Sequence, residues 1–226
     1  MIKAIVTDIE GTTSAIDFVT QVLFPYARER LGSYIGEHAQ QPKVKAILQE
    51  VARIAKLDAE NYPALSAELE RWIDQDRKLT PLKSLQGMIW EHGYRNGDFR
   101  AHVYDDAVAQ LQHWHRQGLS LYVYSSGSIL AQKLFFGHSE AGDLRPLFSD
   151  YFDTTTGPKR EAASYREISR EIDMPAQNIL FLSDIVEELD AAAEAGMHTA
   201  WLQREGELHN HPRHQAVQSF SDITLP

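Results

Sequence analysis

IVTDIEGTTS, residues 5–14, is an apolar run that stops at Asp8, places Glu10 two positions later and then turns through Gly11, Thr12 and Thr13. A short apolar run closed by a glycine-bearing polar cluster is the pattern of a strand covered on both faces. Asp8 taken alone is a turn or cap residue. The question is whether other strands deliver polar groups to the same edge.

Three further runs have the same character: Leu119–Tyr124 (LSLYVY), Ile179–Leu182 (ILFL) and Thr199–Leu202 (TAWL). Helical patterns follow two of them. Ser128 is placed to cap a helix over SILAQKLFF, and Gly196 to stop one running through IVEELDAAAEA. YDDAVAQLQHWHRQG forms another amphipathic helix, with Val108, Leu111 and Trp114 on one side and Gly118 at its end. Strands alternating with helices imply crossover connections and a parallel sheet, so the fold class is α/β.

Between the first strand and that helix the texture is helical. Ile16, Val19, Leu23 and Tyr26 form one stripe, which Pro25 is expected to end or kink near Phe24. Val44, Ile47, Leu48, Val51, Ile54 and Ala55 form a second, and Leu65, Leu69, Trp72 and Ile73 a third. The expected organisation is an α/β core of residues 1–14 and 98–226 with an all-helical insert, residues 15–97, after the first strand.

Open parallel sheets bind ligands beyond the carboxyl ends of their strands. The first strand delivers Asp8 and Glu10 there, the second Ser125 and Ser126, and the third Ser183 and Asp184. Lys159 lies in a Gly-Pro turn before a later helix. Singly these are cap residues, helix-entry hydroxyls and a surface charge. Their arrival in this order at strand ends points to one site.

Composition narrows the chemistry. The 226 residues hold 32 acidic and 22 basic side chains, a formal charge of -10, and 0 cysteines. That charge disfavours nucleic acid and anionic membranes as partners, and the lack of cysteine removes disulfides and thiolate metal sites. Met1 leads directly into strand residues, with no basic and apolar leader and no run of membrane-spanning length, so a soluble cytoplasmic protein is expected.

The order Asp8-Ile9-Glu10-Gly11-Thr12, Ser125, Lys159 and Asp184 resembles the motifs of the haloacid dehalogenase superfamily of phosphohydrolases. Its usual first motif is Asp-x-Asp-Gly-Thr, from which Glu10 departs. DIEGTTSAIDFVTQVLFPYARERL (8–31), YVYSSGS (122–128), the segment 134–168 and FLSDIVEELDAAAEAG (181–196) resemble one branch, the enolase-phosphatases (acireductone synthases) of methionine salvage, where glutamate is the expected residue.

The resemblance implies a haloacid dehalogenase-like Rossmannoid core with an inserted helical cap. It implies Asp8 as nucleophile, Glu10 as acid and base, and Ser125, Ser126 and Lys159 as phosphate-binding groups. One Mg²⁺ would be held by Asp8, Glu10 and Asp184, the last through a carboxylate and Glu10 through its carbonyl or side chain. The implied reaction enolises and dephosphorylates 2,3-diketo-5-methylthiopentyl 1-phosphate, in a monomer whose only partner is this small molecule. A carboxylate nucleophile splits hydrolysis into two steps, and Mg²⁺ with lysine neutralises phosphoryl oxygens. A related phosphatase acting on another small ester is the alternative. A phosphoacceptor signalling module also uses Asp, Ser or Thr, Lys and Mg²⁺, but it lacks a large helical insert after the first strand.

The base that takes the carbon-bound proton is left open by the sequence. Glu187 and Glu188, beside and one turn after Asp184, read equally as supporting acids and as helix-face charges. Phe18, Phe24 and Tyr26 read as core, GHSEAGDL (137–144) as either a substrate-side or an ordinary loop, and His209, His211 and His214 as solvated tail residues.

Overall fold

The computed structural model describes residues 1–226. The chain divides into two compact units, one formed by residues 1–16 and 100–226 and the other by residues 17–99.

The first unit is built on six strands: β1 (Ala4–Thr7), β2 (Ser120–Tyr124), β3 (Asp150–Phe152), β4 (Ile179–Ser183), β5 (His198–Leu202) and β6 (Gln215–Val217). They form one sheet in the order β3-β2-β1-β4-β5-β6, and every neighbouring pair is parallel. β1 and β4, entirely buried, occupy the centre, which is why both read as unbroken apolar runs. β3 and β6 were not anticipated from sequence. Each has only three residues and carries exposed or half-buried positions, so neither offers enough apolar length to stand out.

Helices α5 (Asp105–Arg116), α6 (Ile129–Gly137), α7 (Ala162–Glu171) and α8 (Val186–Glu194) make the crossovers. Ser128 caps α6, its hydroxyl accepting from the Ala131 amide at 3.3 Å. Gly196, at φ +94°, takes the left-handed conformation that lets the chain leave α8 for β5. Tyr124, Phe152, Tyr165, Ile168, Phe181 and Leu189 pack on one face of the sheet as a continuous apolar cluster.

The second unit is helical: α1 (Phe24–His38), α2 (Pro42–Ala55), α3 (Tyr62–Asp74) and α4 (Thr80–Asn96). Its core gathers Leu31, Ile35, Val44, Leu48, Val51, Leu65, Leu69, Trp72, Leu85 and Ile89, matching the second and third stripes and adding α4, whereas of the first stripe only Tyr26 joins this core and Ile16 is exposed. Pro25 does not end the helix. A π-helical segment, Phe18–Leu23, runs into α1 with right-handed backbone at Leu23 and Phe24, so the coil changes from π to α beside Pro25 rather than ending there. Phe18 and Tyr26 are buried against Phe99 at ring-centroid distances of 6.3 and 4.8 Å, so these aromatics are core.

His214 differs from expectation. It is buried, its Nδ1 lying 2.7 Å from Thr199 Oγ1 and its Nε2 3.1 Å from Asp190 Oδ1, so it ties the segment before β6 to β5 and α8. No helix is long and apolar enough to cross a membrane.

Candidate active site

Parallel register fixes where the polar groups emerge. Thr7 is level with Val123 of β2 and Leu182 of β4, so the residues following these three central strands leave the sheet together at its carboxyl edge. Asp8 follows β1, Ser125 follows β2 and Asp184 follows β4.

The segment after Asp8 closes tightly. The amides of Thr12, Thr13 and Ser14 all donate to the Ile9 carbonyl, and Gly11 N donates to Ser14 O at 2.8 Å. Gly11 has φ +74°, and a Cβ placed there would lie 2.3 Å from Asp184 Oδ2. Only glycine satisfies both the left-handed turn and the close approach of β1's loop to β4's carboxylate.

Lys159, reached through the loop after β3, is buried in the midst of these acids. Its Nζ lies 2.7 Å from Asp8 Oδ1 and 2.7 Å from Glu188 Oε2. Glu188 also accepts from Ser183 Oγ at 3.0 Å. Of the adjacent pair on α8, therefore, Glu188 is buried within the site while Glu187 is exposed. The Lys159 backbone is held in turn, because Tyr165 donates its hydroxyl hydrogen to the Lys159 carbonyl at 2.6 Å.

Ser125 is fully buried, donates to Glu10 Oε2 at 3.3 Å and accepts from the Gly127 amide at 3.1 Å. Ser126 is half-buried at the next position. Gln132 of α6 braces this loop, donating to the carbonyls of Gly127 and Phe152, both at 2.8 Å. All six residues singled out from sequence thus belong to one unit, with Asp8, Lys159, Glu10, Ser125 and Asp184 linked by direct contacts or close approach. Glu188, Ser183 and Gln132 complete the cluster.

Four carboxyl groups face one lysine, and the electrostatics follow. Burial, then the neighbouring Asp8, raises Asp184 to about 6. Burial and Asp8 likewise raise Glu188 to about 7 against the opposing pull of Lys159. Glu10 is raised by burial and by Asp8. For Lys159 burial acts to lower the pKa, but the charges of Asp8 and Glu188 outweigh it and leave the ammonium more firmly protonated than usual.

Asp184 Oδ1 is buried without a hydrogen-bond partner, and no three Asp, Glu, His or Cys side chains gather into a ready metal-binding group. An orphaned carboxylate oxygen in an acid-rich cluster is what a hard cation relieves. The donor set fits a divalent ion bound by the Asp8 and Asp184 carboxylates and the Glu10 carbonyl, with the Glu10 side chain engaged by Ser125 instead. The three histidines of the 209–214 segment offer no such group, since both His214 nitrogens are occupied.

Comparison with known proteins places this geometry in context. Residues 2–196 match the profile described as a haloacid dehalogenase-like hydrolase. The chain is 59% identical over 226 residues to enolase-phosphatase E1 of Pseudomonas aeruginosa (strain UCBPP-PA14), covering 99% of each chain. It is 56% identical over 227 residues to enolase-phosphatase E1 of Pectobacterium atrosepticum, covering 100% of this chain and 98% of the relative. Among solved structures, the UTR4 protein of Saccharomyces cerevisiae superimposes with a TM-score of 0.84 at 32% identity, covering 99% of this chain and 100% of that one. CbbY of Rhodobacter sphaeroides, solved in complex with phosphate, shares the fold with a TM-score of 0.61 at 17% identity.

Two outcomes follow from the geometry. Gly11→Ala pushes a methyl group into Asp184 and strains the turn, so the purified variant is expected to lose about 100-fold or more in turnover. In metal-free protein, Asp184 and Glu188 hold protons more tightly folded than unfolded. Their stabilising contribution is then complete below the ordinary carboxylate range and is lost as pH rises through about 6 to 7. Thermal melts of the metal-free protein are expected to show a falling melting temperature from about pH 5 to 8, a smaller fall in Glu188→Gln, and recovery on adding Mg²⁺.

Proposed function

We infer the function from one premise: the chain belongs to the haloacid dehalogenase-like hydrolases and, within them, to the enolase-phosphatases. It is a phosphoric monoester hydrolase. Its reaction takes 2,3-diketo-5-methylthiopentyl 1-phosphate to the acireductone 1,2-dihydroxy-3-keto-5-methylthiopentene and phosphate, a step of methionine salvage. The observation that carries this reading is a protonatable Glu10 two residues beyond a buried Asp8 that Lys159 holds from the side.

Asp8 is the nucleophile. Its carboxylate attacks phosphorus, the bond to the ester oxygen breaks, and an aspartyl-phosphate forms. Burial and the Asp8 charge raise the proton affinity of Glu10, which suits it to give a proton to the departing oxygen. The resulting Glu10 carboxylate then takes a proton from water as that water attacks the aspartyl-phosphate, returning both residues to the states in which phosphoryl transfer began. Lys159 offsets charge on Asp8 and on the phosphoryl oxygens. Ser125, whose bond to Glu10 is long at 3.3 Å, turns its hydroxyl to the phosphate together with Ser126.

Asp8, Asp184 and the Glu10 carbonyl would hold the divalent ion, which we take to be Mg²⁺. When bound it neutralises phosphoryl charge and polarises the ketone for enolisation. Before cleavage an ionised Glu10, one methylene longer than an aspartate, takes the proton from the phosphate-bearing carbon, and the acid so formed is the one that protonates the departing oxygen. The proton later recovered from water passes to the enolate as product leaves. The helical unit 17–99 is assigned the role of a cap that selects the ester and excludes water. The enzyme is taken to act as a monomer in the cytoplasm.

Mixing Mg²⁺-loaded protein with the diketone phosphate is expected to give a transient ultraviolet absorbance from the enol, followed by inorganic phosphate, with phosphate release abolished in Asp8→Asn. Hydrolysis of simple phosphate esters with neither enol absorbance nor turnover of the diketone would instead assign the protein to another small ester.

A further inference from the structure

Arg204 lies just after β5, beyond the residues 2–196 that match the family profile. Its side chain is only 8% exposed. It places two N–H groups on one main-chain oxygen, Nε at 2.8 Å and Nη2 at 2.6 Å from the Thr12 carbonyl. Nη1 pairs with Asp106 Oδ2 at 2.7 Å, and the guanidinium lies over the rings of Tyr104 and Phe220 at 4.1 and 5.0 Å. Asp106 Oδ2 accepts also from Ser219 Oγ and the Phe220 amide.

Thr12 sits in the turn that follows Asp8 and contains Glu10 and Gly11. Its amide is committed inward to Ile9, and the neighbouring Thr13 carbonyl accepts from Tyr104 N at 3.0 Å. Burying a guanidinium is costly unless its charge and donors are matched. Anchoring the C-terminal segment needs only the Asp106 pair. The doubled bond to Thr12 is what relates this cation to the nucleophile turn.

We propose that Arg204 is a positioning residue for the reaction, its guanidinium gripping the back of the turn so that Asp8 and Glu10 keep their mutual placement. It touches no reacting atom. The proposal rests on the catalytic roles of Asp8 and Glu10 given above. Lysine at this position keeps the charge and the Asp106 partner but cannot present a planar fork to one carbonyl. Displacing a catalytic group by about 1 Å costs on the order of 100-fold in rate.

The test compares Arg204→Lys, Arg204→Met and Ile223→Ala, the last removing buried C-terminal packing away from the partners of the Arg204 guanidinium. Melting temperature, kcat and KM for the diketone phosphate and for p-nitrophenyl phosphate, and amide exchange across residues 8–15 are measured for each. In folded Arg204→Lys and Arg204→Met, kcat is expected to fall about 10- to 100-fold with KM within about threefold, and exchange across 8–15 to quicken. Ile223→Ala is expected to melt earlier with kcat unchanged. Wild-type kcat or unaltered exchange in either folded arginine variant would overturn the proposal, as would an equal loss of kcat in Ile223→Ala. If the wild type does not turn over the diketone, the assigned reaction fails, while exchange and p-nitrophenyl phosphate hydrolysis still decide the role of Arg204.

Discussion

The site depends on one buried cation. Lys159 bridges Asp8 and Glu188 at 2.7 Å each in a cluster that also contains Glu10 and Asp184. Removing one partner from a buried ion pair typically costs about 3–5 kcal/mol, because the remaining charge is stranded away from water. With one ammonium among four carboxyl groups, the balance is met partly by retained protons and partly by room for a divalent ion. The same imbalance raises the proton affinity of Glu10, in keeping with the acid role proposed for it.

The sheet order makes this possible. With β1 between β2 and β4, the loops carrying Asp8, Ser125 and Asp184 leave the same edge side by side. β3, although only three residues long, sets the start of the loop that returns Lys159 to that edge. Supports from behind fix each loop: Gln132 under the serine loop, Tyr165 on the lysine carbonyl, Ser183 on Glu188 and Arg204 on Thr12.

Much of this was legible in the sequence for physical reasons. Strands in a covered parallel sheet are rich in apolar residues, so β1, β2, β4 and β5 announced themselves, and the ends of β1, β2 and β4 named their polar residues. Helix signals such as Ser128 and Gly196 act locally and read correctly. The short outer strands lacked a pattern long enough to see. Pro25 marked the right place but not the outcome, since at Phe24 the coil changes from π to α instead of ending. Glu187 and Glu188 are equivalent in composition, and only the orientation of α8 buries the second. His214 and Arg204 owe their roles to partners 15 to 192 residues away in the chain, which no local pattern records.

The account's central claim is that Asp8 carries the phosphoryl group. The most direct measurement is rapid quenching of the enzyme during turnover of phosphate-labelled substrate, borohydride reduction of the acyl phosphate, and peptide mass spectrometry. The account predicts homoserine at position 8 in a fraction of the chains that rises and falls with substrate consumption. Turnover with position 8 still aspartate, or label at another residue, would contradict it.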